Sequence, residues 1–113
     1  MLERDSNRFY IEVKSVTHVV DNVALFPEAP THRGRKHILQ LTSLLRRGFR
    51  AGLIFSVQRP DAVIMKPNIE IDPEFSNLLK EAFRGGLRIF TLKSTFKPPE
   101  TIKIESNEPP FAF

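Results

Sequence analysis

A chain of 113 residues, 41% of them apolar and ten of them Phe, is long enough and apolar enough to bury a core, so a disordered composition is excluded. There is no cysteine, which removes a disulfide scaffold, a zinc knuckle and a thiol nucleophile together. Seventeen Lys and Arg against thirteen Asp and Glu leave a formal charge of +4, an excess that points toward phosphate more than toward cationic partners.

Taken in chain order, Leu2 to Asn7 reads as a turn, and Arg8 to Lys14 as a strand with Phe9, Ile11 and Val13 on one face and Tyr10, Glu12 and Lys14 on the other. Val16 to Val20 and Val23 to Phe26 flank Asp21-Asn22, two turn formers, and predict a hairpin. Pro27 and Pro30 stop regular structure. Thr31 can cap a helix, on which Ile38, Leu41, Leu44 and Leu45 recur at helical spacing before Gly48 stops it. Ala51 to Val57 is nearly all apolar, the pattern of a strand buried on both faces.

Asp72-Pro73-Glu74 opens a second helix, with Asp as cap, Pro at the first position and Glu near the dipole. Phe75, Leu78, Leu79, Ala82 and Phe83 form its expected buried stripe, and Gly85-Gly86 ends it. Leu87 to Phe96 and Thr101 to Glu105 read as strands, followed by a tail from Asn107 to Phe113. Strand, helix, buried strand, helix, strand calls for parallel crossovers in a mixed sheet flanked by helices, an α/β fold. The longest apolar runs, Val23 to Phe26 and Ala62 to Met65, are four residues each, against about 20 for a membrane span. Glu3 and Asp5 follow Met1 with no apolar stretch behind them, so no signal peptide is expected and the chain reads as cytoplasmic.

The charge has a location. Arg33, Arg35, Lys36, Arg46, Arg47, Arg50 and Arg59 fall between Thr31 and Pro60, a stretch without a single acid. The rest of the chain holds ten basic and thirteen acidic residues, so the whole positive excess belongs to that segment. Arg33, Arg35, Lys36 and Arg59 are therefore the expected nucleic-acid contacts, against the plainer reading of a solvated basic face. His32 and His37 are five apart, which does not match the four-residue spacing of a helical metal pair. Gln58 and His37 are accessory candidates: Gln58 leaves the end of a buried parallel strand, where open α/β sheets place ligands.

Glu12 and Lys14 are the sharpest pair. Two apart on a strand, they leave the same face. Phosphodiester cleavage needs a carboxylate for Mg²⁺ and a nearby cation for the developing charge, and Glu-x-Lys supplies both. The same tripeptide also decorates the solvent face of ordinary amphipathic strands. Glu70-x-Asp72 is no second copy of it, because no Lys follows at the right spacing and Asp72 is better used as a cap.

Tyr10-Ile-Glu12-Val-Lys14-Ser-Val-Thr17, Ala24 to His37, Phe55-Ser-Val-Gln-Arg-Pro-Asp61 and Glu70-Ile-Asp-Pro-Glu74 together resemble, in order, the C-terminal part of the sugar fermentation stimulation protein A family. The resemblance implies a DNA-binding protein, with an N-terminal OB-fold domain and a C-terminal domain similar to the PD-(D/E)xK (restriction-endonuclease-like) nucleases. Residues 1–113 would be that C-terminal domain alone, without the OB fold. Carried over, Glu12 and Lys14 fall on the nuclease Glu and Lys as the catalytic pair, with Glu12 the implied ligand to Mg²⁺. The first carboxylate of the nuclease signature would lie upstream of Met1, which leaves Mg²⁺ weakly held. The expectation is a regulatory DNA-binding protein with a nuclease-like core. A Mg²⁺-dependent DNA endonuclease and a protein-interaction module in the regulation of sugar metabolism are the rival readings.

Overall fold

The computed structural model describes residues 9–97, 101–106 and 109–113. The turn expected over Leu2 to Asn7 lies outside them, as do residues 107–108 of the expected tail. The chain runs β1 (Phe9–Val16), β2 (Val19–Val20), β3 (Val23–Phe26), α1 (His32–Arg46), β4 (Arg50–Val57), β5 (Ile64–Pro67), α2 (Pro73–Arg84), β6 (Arg88–Lys97) and β7 (Thr101–Ser106).

The strands make two sheets among the described residues, where the sequence suggests one. The larger has the order β1-β4-β6-β7, with β1, β4 and β6 parallel and β7 antiparallel to β6. Each parallel step is bridged by a helix, α1 from β1 toward β4 and α2 from β4 to β6. The smaller has the order β2-β3-β5. Its hairpin turns at Asp21 and Asn22, whose φ angles of 51° and 67° are the left-handed pair of a type I′ turn. The strand β5 has no counterpart among the predicted strands; it pairs in parallel with β3, Ala24 opposite Met65.

The core lies between the larger sheet, the two helices and the smaller sheet. Phe55 and Phe75 are fully buried, and Phe26 joins them with ring centroids 5.6 Å and 5.4 Å away. On β4, Ala51, Leu53, Phe55 and Val57 face inward, whereas Ile54 and Ser56 are half-buried on the far side. That strand is sealed on one face only. The far side of β1 shows why: Ile11 and Val13 are 48% and 56% exposed. Alternation along β1 thus separates its two faces as predicted, but the charged face meets α1 at His37 and the apolar face is open. Similarly, Phe83 of α2 is 50% exposed, and Ser76 takes the place in the buried stripe that periodicity gives to Phe83.

The tail is tied down. Thr91 Oγ1 donates to the Pro109 carbonyl at 2.6 Å, and the backbone of Met65 bonds both Pro110 and Ala112 at 2.9 Å. Phe111 then stacks on Phe55 with centroids 5.6 Å apart.

Both helices start where the cap residues place them. Thr31 accepts from the Gly34 N–H at 2.8 Å, and Asp72 accepts from the Phe75 N–H at 2.9 Å. Gly34 is buried, and a Cβ there would stand 2.7 Å from Thr31 Cγ2 and 2.9 Å from Thr31 Oγ1. Alanine is the better helix former, yet Gly34→Ala is expected to destabilise by about 1–3 kcal/mol, because the new methyl evicts the cap. Urea unfolding followed by circular dichroism measures it; a gain in stability would mean that Thr31 is dispensable.

Candidate functional site

Period-two alternation puts Glu12 and Lys14 together on the helix-facing side of β1. α1 crosses that face with His37 one turn after Arg33. The Lys14 ammonium lies 2.6 Å from His37 Nδ1 and 3.6 Å from Glu12 Oε2. His37 Nδ1 is in turn 3.4 Å from the same carboxylate oxygen. An ammonium can only donate, so with Lys14 charged Nδ1 accepts and the ring proton of His37 sits on Nε2. A strand pair read as Glu-x-Lys is thus a three-residue cluster, completed by an imidazole 23 positions away.

Burial lowers the pKa of Lys14 below the ordinary lysine value; Glu12 opposes that shift, and the nearby charge of Arg33 adds to it. A lysine placed this way gives up its proton more readily than one in water, and it is held to one position by two partners.

The other predicted residues are distributed, not gathered. Arg33 and Lys36 are exposed on the first turns of α1, which carry no acid. Arg35 turns to Asp72 at 2.6 Å, with Glu74 at 3.9 Å, so its charge is met within the fold. Arg59 is held by Asp61 at 2.8 Å and by the Thr17 carbonyl at 3.3 Å, and its hydrogen bonds keep the Asp61 carboxyl below the usual carboxylate range. Gln58 reaches Ser15 Oγ at 3.4 Å, on the face of β1 opposite Glu12 and Lys14. The basic stretch from Thr31 to Pro60 is likewise divided, with Arg33 and Lys36 at one end of α1 and Arg46, Arg47 and Arg50 at or beyond the other.

Asp72 is the residue whose importance the sequence understates. Besides capping α2 it accepts the Thr31 N–H at 2.8 Å and the Arg35 guanidinium, so one carboxylate joins the starts of both helices. Burial works against its ionisation, and the N–H groups of Thr31 and Phe75 with Arg35 outweigh it, holding the carboxyl below the usual range.

Mg²⁺ asks for six near-octahedral ligands, mostly oxygen, and usually takes one or two carboxylates from a protein. Among the described residues no three His, Cys, Asp or Glu side chains come together as ligands, and an ammonium stands on the one carboxylate of the cluster. These residues do not by themselves fit the ion.

Comparison with known proteins agrees with the architecture. Residues 1–100 match the family described as the sugar fermentation stimulation protein RE domain. A sugar fermentation stimulation protein homolog of Natranaerobius thermophilus is 47% identical over 89 residues, 79% of this chain and 37% of its own length. That of Moorella thermoacetica is 45% identical over 89 residues, again 79% of this chain and 38% of its own. The solved SfsA of Pyrococcus furiosus in complex with Ca²⁺ superposes with a TM-score of 0.81 and 32% identity, covering 86% of this chain and 42% of that one. The chain therefore spans well under half the length of these relatives. Within that span, matched along nearly all its residues and sharing the fold of a solved member, the chain belongs to the sugar fermentation stimulation protein family.

Proposed function

We propose that the chain is a DNA-binding domain of regulatory role, built on a nuclease-like core, that meets the phosphate backbone with the start of α1 and the adjoining face of β1. One observation carries this reading: the first turns of a 15-residue helix present exposed Arg33 and Lys36 and no acid, beside Lys14 of β1. A helix N-terminus already favours anions, and cations placed there oppose the dipole unless an anion offsets them. Lys14 and His37 form the floor of this surface.

Binding of a mixed-sequence duplex should be weak, non-specific and steeply dependent on salt. Arg33→Ala with Lys36→Ala should lower the slope of log affinity against log salt by roughly 2, about one for each phosphate left without its cation. Arg35→Ala should leave that slope unchanged and reduce stability instead, because Asp72 already neutralises it. Fluorescence anisotropy across a salt series separates the two effects. A slope unmoved by the double variant would place the DNA-binding surface elsewhere.

The calcium complex of the structural neighbour favours a second reading, a metal-dependent DNA endonuclease in which Glu12 is one ligand among others. On the first reading, plasmid DNA with Mg²⁺ is not nicked by the 113-residue chain. Nicking that disappears in Glu12→Gln would promote the second.

A further inference from the structure

We infer that the cavity between β5 and the first turns of α2 is a binding site for a small organic anion: one phosphate or carboxylate group on an apolar body. The cavity encloses about 230 Å³. That is below the roughly 300 Å³ at which drug-sized pockets begin, so the ligand is small. Its walls divide by chemistry. Lys66 of β5 and Lys80 of α2 supply two ammonium groups, and Asn77, one turn before Lys80, supplies an amide. Pro67, Ile69 and Phe113 form an apolar side, of which Ile69 is 61% and Phe113 42% exposed. Among the described residues, no Asp or Glu side chain lines the cavity.

Ser76 belongs to the same wall, and it is the residue without an explanation. It is 6% exposed, yet its hydroxyl has no hydrogen-bond partner. Buried hydroxyls are nearly always paired. The usual outlet for a helical serine is the carbonyl four residues back; here Asp72 O takes the Ser76 N–H, and the hydroxyl does not share it. A change to another staggered rotamer is the small adjustment by which a bound anion would satisfy it. Two cations and an amide around one small space, apolar surface at the side and an orphaned hydroxyl buried in the wall behind it select an anionic head and an apolar body. None of Glu12, Lys14, Arg33, Lys36 or His37 lines this cavity, so the inference is independent of the nucleic-acid reading.

The test is an amide chemical-shift titration of the 113-residue chain with phenyl phosphate, benzoate and inorganic phosphate. At least one of the two organic probes should saturably shift the amides of Lys66, Ser76, Asn77 and Lys80. Inorganic phosphate, lacking the apolar body, should bind at least ten-fold more weakly. Which organic probe binds more tightly tells a phosphate ligand from a carboxylate ligand. Lys66→Ala with Lys80→Ala, both exposed side chains whose removal leaves the core intact, should weaken the better probe at least ten-fold. Ser76→Ala should weaken it about five-fold while the protein keeps or gains stability, since the unpaired hydroxyl is gone. The inference is overturned if neither organic probe shifts these amides, if the double lysine variant binds as well as the parent, or if the shifts centre on Arg33 and Lys36.

Discussion

Asp72→Ala should lower the stability of the domain by about 3–5 kcal/mol, a large part of the roughly 5–15 kcal/mol that a domain has in total. The carboxylate is 2% exposed and has three partners, the N–H groups of Thr31 and Phe75 and the Arg35 guanidinium. Losing it uncaps α2, strands the Thr31 N–H and leaves Arg35 without its closest counter-charge. Urea midpoints by circular dichroism measure the loss; a cost under about 1 kcal/mol would reduce Asp72 to an ordinary cap. The sign of the pH effect follows from its depressed pKa. A carboxyl held lower in the folded state than in the unfolded chain stabilises above the unfolded value of about 3.9, and that contribution fades as pH falls through the folded one. Asp72→Asn should therefore show a shallower acid-side loss of stability than the parent.

The other large effect is at Phe55. The ring is fully buried between Phe26 and Phe111, with both centroids at 5.6 Å. Phe55→Ala should cost about 3–5 kcal/mol, transfer energy and cavity together. It should also loosen the tail, because Phe111 stacks on that ring and carries the backbone that pairs with Met65. Hydrogen exchange at Ala112, whose N–H bonds the Met65 carbonyl, reports this separately from global stability. Ile54→Ala, one residue away on the open face, should cost about a third as much. Equal costs would mean that the far side of the sheet is covered.

Much of this fold was legible because its signals are local. Asp72-Pro73 fixes the start of α2, Asp21-Asn22 adopts the left-handed pair that its residue types favour, and Thr31 caps α1. What was hidden depends on partners far along the chain. Ile64 to Pro67 is a short run ending in proline, which argues against a strand until β3 lies beside it. Phe83 satisfies the helical period and is still half exposed, since periodicity defines a stripe without saying how wide the covering surface is. In the candidate site, alternation puts Glu12 with Lys14, but nothing near either residue announces His37. Arg35 reads as one more cation of a basic run, and only the fold turns it to a carboxylate 37 positions away.

On the proposed DNA-binding reading, the division of that basic run by α1 would set a minimum footprint. Along the helix axis Arg33 and Lys36 lie thirteen and ten residues before Arg46, which is about 20 Å and about 15 Å at 1.5 Å per residue. Successive phosphates of one DNA strand advance about 3.4 Å along the duplex axis. On the proposed reading, an oligonucleotide of about two or three base pairs would therefore reach Arg33 and Lys36 or Arg46 and Arg47, but not both groups. On that reading a duplex must reach roughly five or six base-pair steps before one molecule bridges the two ends, and affinity should step upward at that length.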